Sequence, residues 1–302
     1  MTTCNRKAWL VLGSQTLLLE DPSKGYFCTN LDLGAPDVRA VMNPNPDRHG
    51  LTDRSAFMGG RVIEADVTAV TGAGARIDAV AASFAPYMDP SVRPQLHYVL
   101  DRPGLPERVL TLRAIAYDSK IDAPGQRDVI MQWEAPDPIA KDANVQSAFS
   151  YAGSGLAGRV YNLVYARAYP TGTQAATSAT LQQNPGDVTV RPFLRIYGPI
   201  TAPNVSGTVY TSVGSGANYA LTFASSFRID AGHWVDVDSE RRTIHYDSDP
   251  AQSALAAVRW DLPSVGWLYL PPSPGSAQLT LSGSSTSAIT QAQLTWQDGY
   301  LT

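Results

Sequence analysis

A chain of 302 residues, 44% hydrophobic and 17% charged, is long enough for two ordinary domains, each with its own core. No apolar run approaches the roughly 20 residues of a membrane helix. A net charge of −4 without clustered Lys and Arg argues against a nucleic-acid-binding surface, which must neutralise phosphates.

Two cysteines, Cys4 and Cys28, do not make a disulfide framework and lack zinc-ligand spacing, which suits assembly in a reducing cytoplasm. Whether they pair is open. Residues 8–13 follow Arg6 and Lys7 as a short apolar run, and polar Ser14 and Gln15 interrupt it. This reads as a first strand rather than a secretory signal. Residues 26–42 form two extended pieces around the turn Gly34-Ala-Pro-Asp37. A polar loop at 43–50 then leads through Thr52, Asp53 and residues 56–60 to a strand at 61–70.

Residues 75–88 hold Ile77, Val80, Ala81 and Phe84 at helical spacing with Pro86 near the end, so a helix packs one stripe on the sheet. Residues 95–100 and 108–117 flank a turn at 101–106, which predicts a strand pair. The strand after them, 128–138, is stopped by prolines. Residues 142–180, rich in Ala, Gly, Ser and Thr, read as an extended arm or long loop with one strand at 158–165. Turn residues at 184–192 mark the domain boundary.

Beyond it, residues 219–223, 267–270, 278–281 and 291–296 read as strands bounded by Gly, Pro, Ser or Asn. The clearest element is a hairpin over 228–247. Val235 and Val237 share one face, and so do Ile244 and Tyr246. Setting Val237 opposite Ile244 and Val235 opposite Tyr246 leaves 239–242 as a polar loop and turns Asp236 and His245 outward. The fold class is mainly β: two antiparallel β-sandwich domains, 1–190 with a helix near 75–88 and the arm or loop near 142–180, then 191–302.

Chemical motifs are sparse. His49, His97, His233 and His245 include no i, i+4 metal pair. The best cluster, His233, Asp236, Asp238, His245 and Asp247, reads more simply as a solvated sheet face than as a metal site. Arg241 and Arg242 read as a solvated hairpin tip. Gly72-Ala-Gly and Ser154-Gly-Leu-Ala-Gly lack the context of a phosphate loop or hydrolase elbow, and no carboxylate pair stands out for glycoside hydrolysis. Trp234, Trp260, Trp267, Tyr269 and Trp296 could form a sugar-stacking platform, although core and sheet-face packing is the simpler use.

Weak motifs in series carry more. They are Leu33-Gly-Ala-Pro-Asp-Val-Arg39, His49-Gly-Leu-Thr-Asp53, Phe57-Met-Gly-Gly-Arg61 and Trp133-Glu-Ala-Pro-Asp-Pro138, then Asn184-Pro-Gly-Asp187 through Pro192. Ile196-Tyr-Gly-Pro, Pro203, Ala231-Gly232, Val237-Asp238, Arg242-Thr-Ile244, Leu270-Pro-Pro-Ser-Pro-Gly275 and Leu294-Thr-Trp296 follow. In this order the chain resembles the distal tail protein of long, flexible-tailed bacteriophages (siphoviruses), the baseplate hub component also called a minor tail protein. Residues 142–180 and the double proline after Leu270 depart from the pattern.

The resemblance implies a structural, non-enzymatic virion protein of the tail tip, assembled in the host cytoplasm, with no cofactor and no metal. Its first domain would form a hexameric ring, and its second, galectin-like or jelly-roll, would lie at the periphery. Partners would be further copies of itself, the tail tube protein, a tail-associated hub or lysin, the tape measure protein and other minor tail proteins. DNA would be passing cargo, and no membrane is involved. An exposed N-terminal strand or arm would add to a neighbour's sheet. Arg39, Asp53 and Arg61 are the candidate ring-forming or fold-defining residues; for the two arginines the alternative is a surface salt bridge within one subunit. The rival function is a carbohydrate-binding module for host-surface adhesion, with Trp234, Trp267 and Tyr269 stacking on sugar.

Overall fold

The computed structural model describes residues 7–44, 51–70, 77–100, 104–123, 125–152, 182–211, 216–262, 266–287 and 289–301. The chain divides into two compact units, Met1–Asn144 with Tyr300–Thr302, and Val145–Gly299. Both are antiparallel and mainly β. No described helix is long and apolar enough to cross a membrane.

The first unit is built on two sheets. One runs in the order Gln15–Leu18, Lys7–Leu12, Gln95–Val99, Arg108–Thr111, Ala140–Asp142 and Gly299–Tyr300; the other runs Tyr26–Asp32, Arg61–Val70, Gln126–Ala135 and Arg113–Ala123. Alternation drives their packing. Ile63, Ala65, Val67 and Ala69 on one strand, and Val129, Met131, Trp133 and Ala135 on its neighbour, are buried. They meet Leu10, Leu96, Tyr98 and Leu110 from the other sheet in a single core. The helix Ile77–Phe84 contributes Val80, Ala81 and Phe84 to it, as the 3.6-residue period requires. Pro86 falls in the 3-10 turn Ala85–Met88 that ends the helix, where Trp133 Nε1 donates to the Tyr87 carbonyl at 3.3 Å.

Three elements of the first unit differ from the sequence reading. Residues 108–117 are not one strand, since the chain breaks at Leu112 and Arg108–Thr111 and Arg113–Ala123 belong to different sheets. Leu112 is fully buried, and its N–H turns to the Pro94 carbonyl at 2.8 Å, forming a corner between the layers. Residues 51–58, read as connecting chain, are a strand paired with Val38–Pro44 in a separate two-stranded sheet. The first strand, Lys7–Leu12, is no free arm, because Gln15–Leu18 and Gln95–Val99 flank it.

The second unit pairs two five-stranded sheets. Gln146–Tyr151, Gln291–Trp296, Phe193–Tyr197, Trp234–Asp238 and Thr243–Tyr246 form one; Gln182–Gln183, Ser276–Ser284, Ile200–Tyr210 and Gly216–Thr222, with Arg228–Ile229 beside Ile200–Tyr210, form the other. Leu194, Ile196, Val235, Val237, Ile244 and Leu294 face Val205, Val209, Leu221, Leu279 and Leu281 in its core. Residues 267–270 alternate but make no ladder; among the described residues their one β-bridge is that of Leu270 to Val190. The division falls between Asn144 and Val145 rather than near residue 190, because Gln146–Tyr151 pairs along its whole length with Gln291–Trp296. The strand expected at 158–165, the loop at 45–50, Cys4, His49, Ser154 and the glycines at 72 and 74 lie outside the described residues.

The hairpin has the register its pattern dictated: Val235 opposite Tyr246, Asp236 opposite His245, Val237 opposite Ile244. Its outer face is not simply solvated, however. Asp236 is buried at 6% exposure, under a guanidinium from the neighbouring strand.

Candidate functional site

Several motif residues of the first unit, Leu33 to Val38 and Met58 to Arg61, lie around the base of the Val38–Pro44 and Leu51–Met58 hairpin. Gly34 adopts φ 58°, and a Cβ there would come within 2.0 Å of the Val62 carbonyl oxygen. Only glycine allows this approach. The Asp32 carboxylate accepts the Gly34 N–H at 2.9 Å, and Asp37 and Gly59 close the ribbon by a 2.6 Å backbone bond. Leu33, Ala35, Pro36, Val38, Met58 and Leu100 then wall an open, mainly apolar cleft of about 510 Å³ that reaches Arg61.

Arg61 is 1% exposed. Its Nη1 donates to the Leu301 carbonyl at 3.0 Å, while Nε and Nη2 are enclosed without an acceptor in bonding geometry. Burial lowers its pKa, opposed by the Tyr98 hydroxyl and the Asp137 charge. Buried Arg108 lies 4.1 Å over the Tyr300 ring. Two enclosed cations thus hold residues 300–301 in the first unit. Arg39 and Asp53 sit on the hairpin, at register positions opposite Phe57 and Met42.

The four-stranded sheet turns a different character outward. Opposite its core face, the register aligns Asp32, Glu64, Asp66, Asp118, Asp128 and Glu134 against only Arg113 and Lys120. Glu64 accepts from Gln132 at 2.6 Å and Asp128 from Thr68 at 2.7 Å. Burial, with Glu64 and Asp128 beside it, raises the pKa of Asp66, against a weaker pull from Asn30. Sequence reasoning missed this face because its carboxylates come from four separate strands.

Elsewhere several titratable groups are locally paired. His97 Nδ1 lies 2.6 Å from Glu107 Oε1 and stacks on Trp9 at 5.7 Å. The hairpin cluster of the second unit is split. Asp236 binds Arg195, Asp247 lies 2.5 Å from His233, and Asp238 accepts the Glu240 and Arg241 N–H groups. Among the described residues no three His, Cys, Asp or Glu side chains gather as metal ligands. Cys28 is buried, its Sγ 3.3 Å from the Asn30 carbonyl. Of the aromatic candidates, Trp234 lies under Arg195 at 5.1 Å with Nε1 on Ser248, Trp267 packs on Trp260 at 5.3 Å, and Tyr269 packs on the core.

In the second unit the motif residues are turn chemistry. Asn184 is fully buried and donates to the Val188 carbonyl at 2.6 Å while accepting the Gly186 N–H at 3.0 Å. A Cβ on Gly198 would lie 2.2 Å from the Asp230 carbonyl.

Two antiparallel sandwich units in series along the chain, with motif residues such as Gly34, Asn184 and Gly198 at turns and strand ends, define a mainly β protein. Among solved structures, the chain is similar to that of SPP1 Dit, described as a paradigm of the hub adsorption apparatus in phages infecting Gram-positive bacteria. The two share 12% identity and a TM-score of 0.58, over 97% of this chain and 99% of that one. Two structures of the phage P2 baseplate in its activated conformation, with Ca and with Sr, are similar at 9% identity with TM-scores of 0.41 and 0.43. No protein-family model and no curated protein matches the sequence. The likeness is one of fold, and it is the fold that the serial motifs pointed to.

Proposed function

We propose that this chain is a structural component of a siphovirus tail tip, a distal tail protein whose first sandwich assembles into a hexameric ring. The observation that carries this is the fold likeness to SPP1 Dit over 97% of this chain and 99% of that one, which takes in both units. The ring joins the tail tube protein on one face to a tail-associated hub or lysin on the other, and further minor tail proteins attach around it. The tape measure protein and then DNA pass through its channel. The galectin-like second sandwich stands at the periphery, and the chain performs no catalysis.

The acidic outer face of the four-stranded sheet suits the channel wall. Six carboxylates against two cations repel phosphate, so passing DNA is not trapped. Negative-stain imaging of the purified chain with rotational analysis tests the reading: six-fold rings with an open centre support it, and monomers or another symmetry overturn it.

A further inference from the structure

The second unit turns a mixed aromatic and polar face outward from the sheet that holds Phe193–Tyr197 at its middle. The strands of that sheet bury Leu194, Ile196, Val235, Val237, Ala292 and Leu294, so the alternate positions form the opposite face. The register sets them in rows. Tyr151 lies opposite Gln291, Gln291 opposite Tyr197 and Tyr197 opposite Trp234; two residues along each strand, Phe149, Gln293, Arg195 and Asp236 follow in the same way.

Two features of this face serve no contact of the fold. Phe149 and Tyr151 remain 42% and 39% exposed on the edge strand, their rings 6.5 Å apart and within 22° of parallel. Ser150 between them is buried and accepts the Leu281 N–H at 3.0 Å, which fixes the strand that carries the pair. Beside the rings stand two carboxamides. Gln293 accepts the Tyr197 hydroxyl at 3.1 Å and makes no other side-chain bond among the described residues, and Gln291 makes none. At the far end the polar groups are locked. Asp247 and Ser248 take left-handed φ of 51° and 60° in succession, a conformation that non-glycine residues adopt only under constraint. The Ser248 hydroxyl donates to Asp236 at 2.5 Å and accepts from Trp234 Nε1 at 3.0 Å. Arg195 and Asp236 neutralise each other, so the two rows carry no net charge.

We propose that this face binds a neutral oligosaccharide, with pyranose rings on Phe149 and Tyr151 and hydroxyls bonded by Gln291 and Gln293. A pyranose offers apolar C–H groups to an aromatic ring and hydroxyls that both donate and accept, which a ring beside a carboxamide matches. A protein partner would want an apolar centre, whereas here each exposed ring has a carboxamide opposite it. Sites carried on strands are also held more precisely than sites on loops. Of the aromatic residues that the sequence suggested for sugar stacking, only Trp234 lies on this face; Trp267 and Tyr269 belong to no strand of this sheet. The inference does not depend on ring assembly.

The test applies full-length chain, its folding checked by circular dichroism, to an array of neutral glucans, galactans, rhamnans and N-acetylglucosamine oligomers beside sialylated and phosphorylated glycans. The glycan bound is then titrated by calorimetry. Wild type is expected to bind neutral glycans. Phe149→Ala and Tyr151→Ala should each weaken binding about tenfold, the worth of one stacking contact, and the double variant should abolish it. Gln293→Glu keeps the acceptor for Tyr197 but loses the amide donors, so it should weaken binding about tenfold with an unchanged melting temperature. Tyr210→Ala, which removes a comparably exposed ring from the other sheet, should bind as wild type does. An array left bare, binding confined to charged glycans, or a double variant that binds as well as wild type overturns the proposal. Light scattering on the same samples reports separately whether the ring forms.

Discussion

Arg195 and Asp236 face each other on adjacent strands of the second unit and are joined at both prongs, Nε to Oδ1 at 2.6 Å and Nη2 to Oδ2 at 3.0 Å. The carboxylate is only 8% exposed and also accepts the Ser248 hydroxyl at 2.5 Å. The first prediction follows from that satisfaction. Asp236→Ala strands a guanidinium and a hydroxyl together, and is expected to cost about 2–3 kcal/mol in urea unfolding. Arg195→Lys keeps the charge but not the fork, and should lose about 1 kcal/mol.

A second prediction compares two glycines that both take positive φ. At Gly13 (φ 60°) an added Cβ meets nothing within 4 Å, whereas at Gly34 (φ 58°) it would strike the Val62 carbonyl at 2.0 Å. Gly13→Ala should cost only the left-handed conformation, about 1 kcal/mol. Gly34→Ala adds a backbone clash at the hairpin base and should cost at least about 2 kcal/mol more. Equal melting temperatures for the two variants would remove Gly34 from its role.

These cases also show what could be read from residues alone. The Trp234–Tyr246 hairpin was legible down to its register because apolar and polar positions alternate cleanly around a polar tip. The burial of Asp236 was not, since the Arg195 that covers it lies 41 positions away. Alternation runs through Leu112 without interruption, so the corner there has no local signal. Gln146–Tyr151 is polar and lies beside a low-complexity stretch, so its partnership with Gln291–Trp296 could come only from tertiary pairing. Residues 51–58 lack β-branched runs, and their strand depends on the partner at Val38–Pro44. Serial turn motifs pointed to the right fold because each fixes a close backbone approach, as Gly34 and Asn184 do.

Asp66 supplies a third, pH-dependent prediction. Burial first, then the Glu64 and Asp128 charges, raise its pKa from 3.8. The folded chain therefore holds this proton more tightly than the unfolded chain. Its favourable contribution is present at low pH and is lost as pH rises through the Asp66 titration. Asp66→Asn should melt higher than wild type at pH 7, with the difference vanishing below about pH 4. A variant less stable than wild type at pH 7 would contradict the sign.

The fourth concerns Arg61, enclosed at 1% exposure with one donor on Leu301. Arg61→Ala should lower the stability of the first unit by about 3 kcal/mol, through lost packing and the untethered chain end. Arg61→Met, which fills the same space without a charge, should cost much less. Because the side chain is enclosed in the first unit, folded Arg61→Met protein should assemble as wild type does, read by light scattering.

The central claim is that this chain works by closing on copies of itself. Analytical ultracentrifugation of the purified full-length protein across a hundredfold concentration range tests it most directly. The account predicts a single species of six subunits that dissociates only on dilution; a sedimenting monomer at the highest concentration would contradict it.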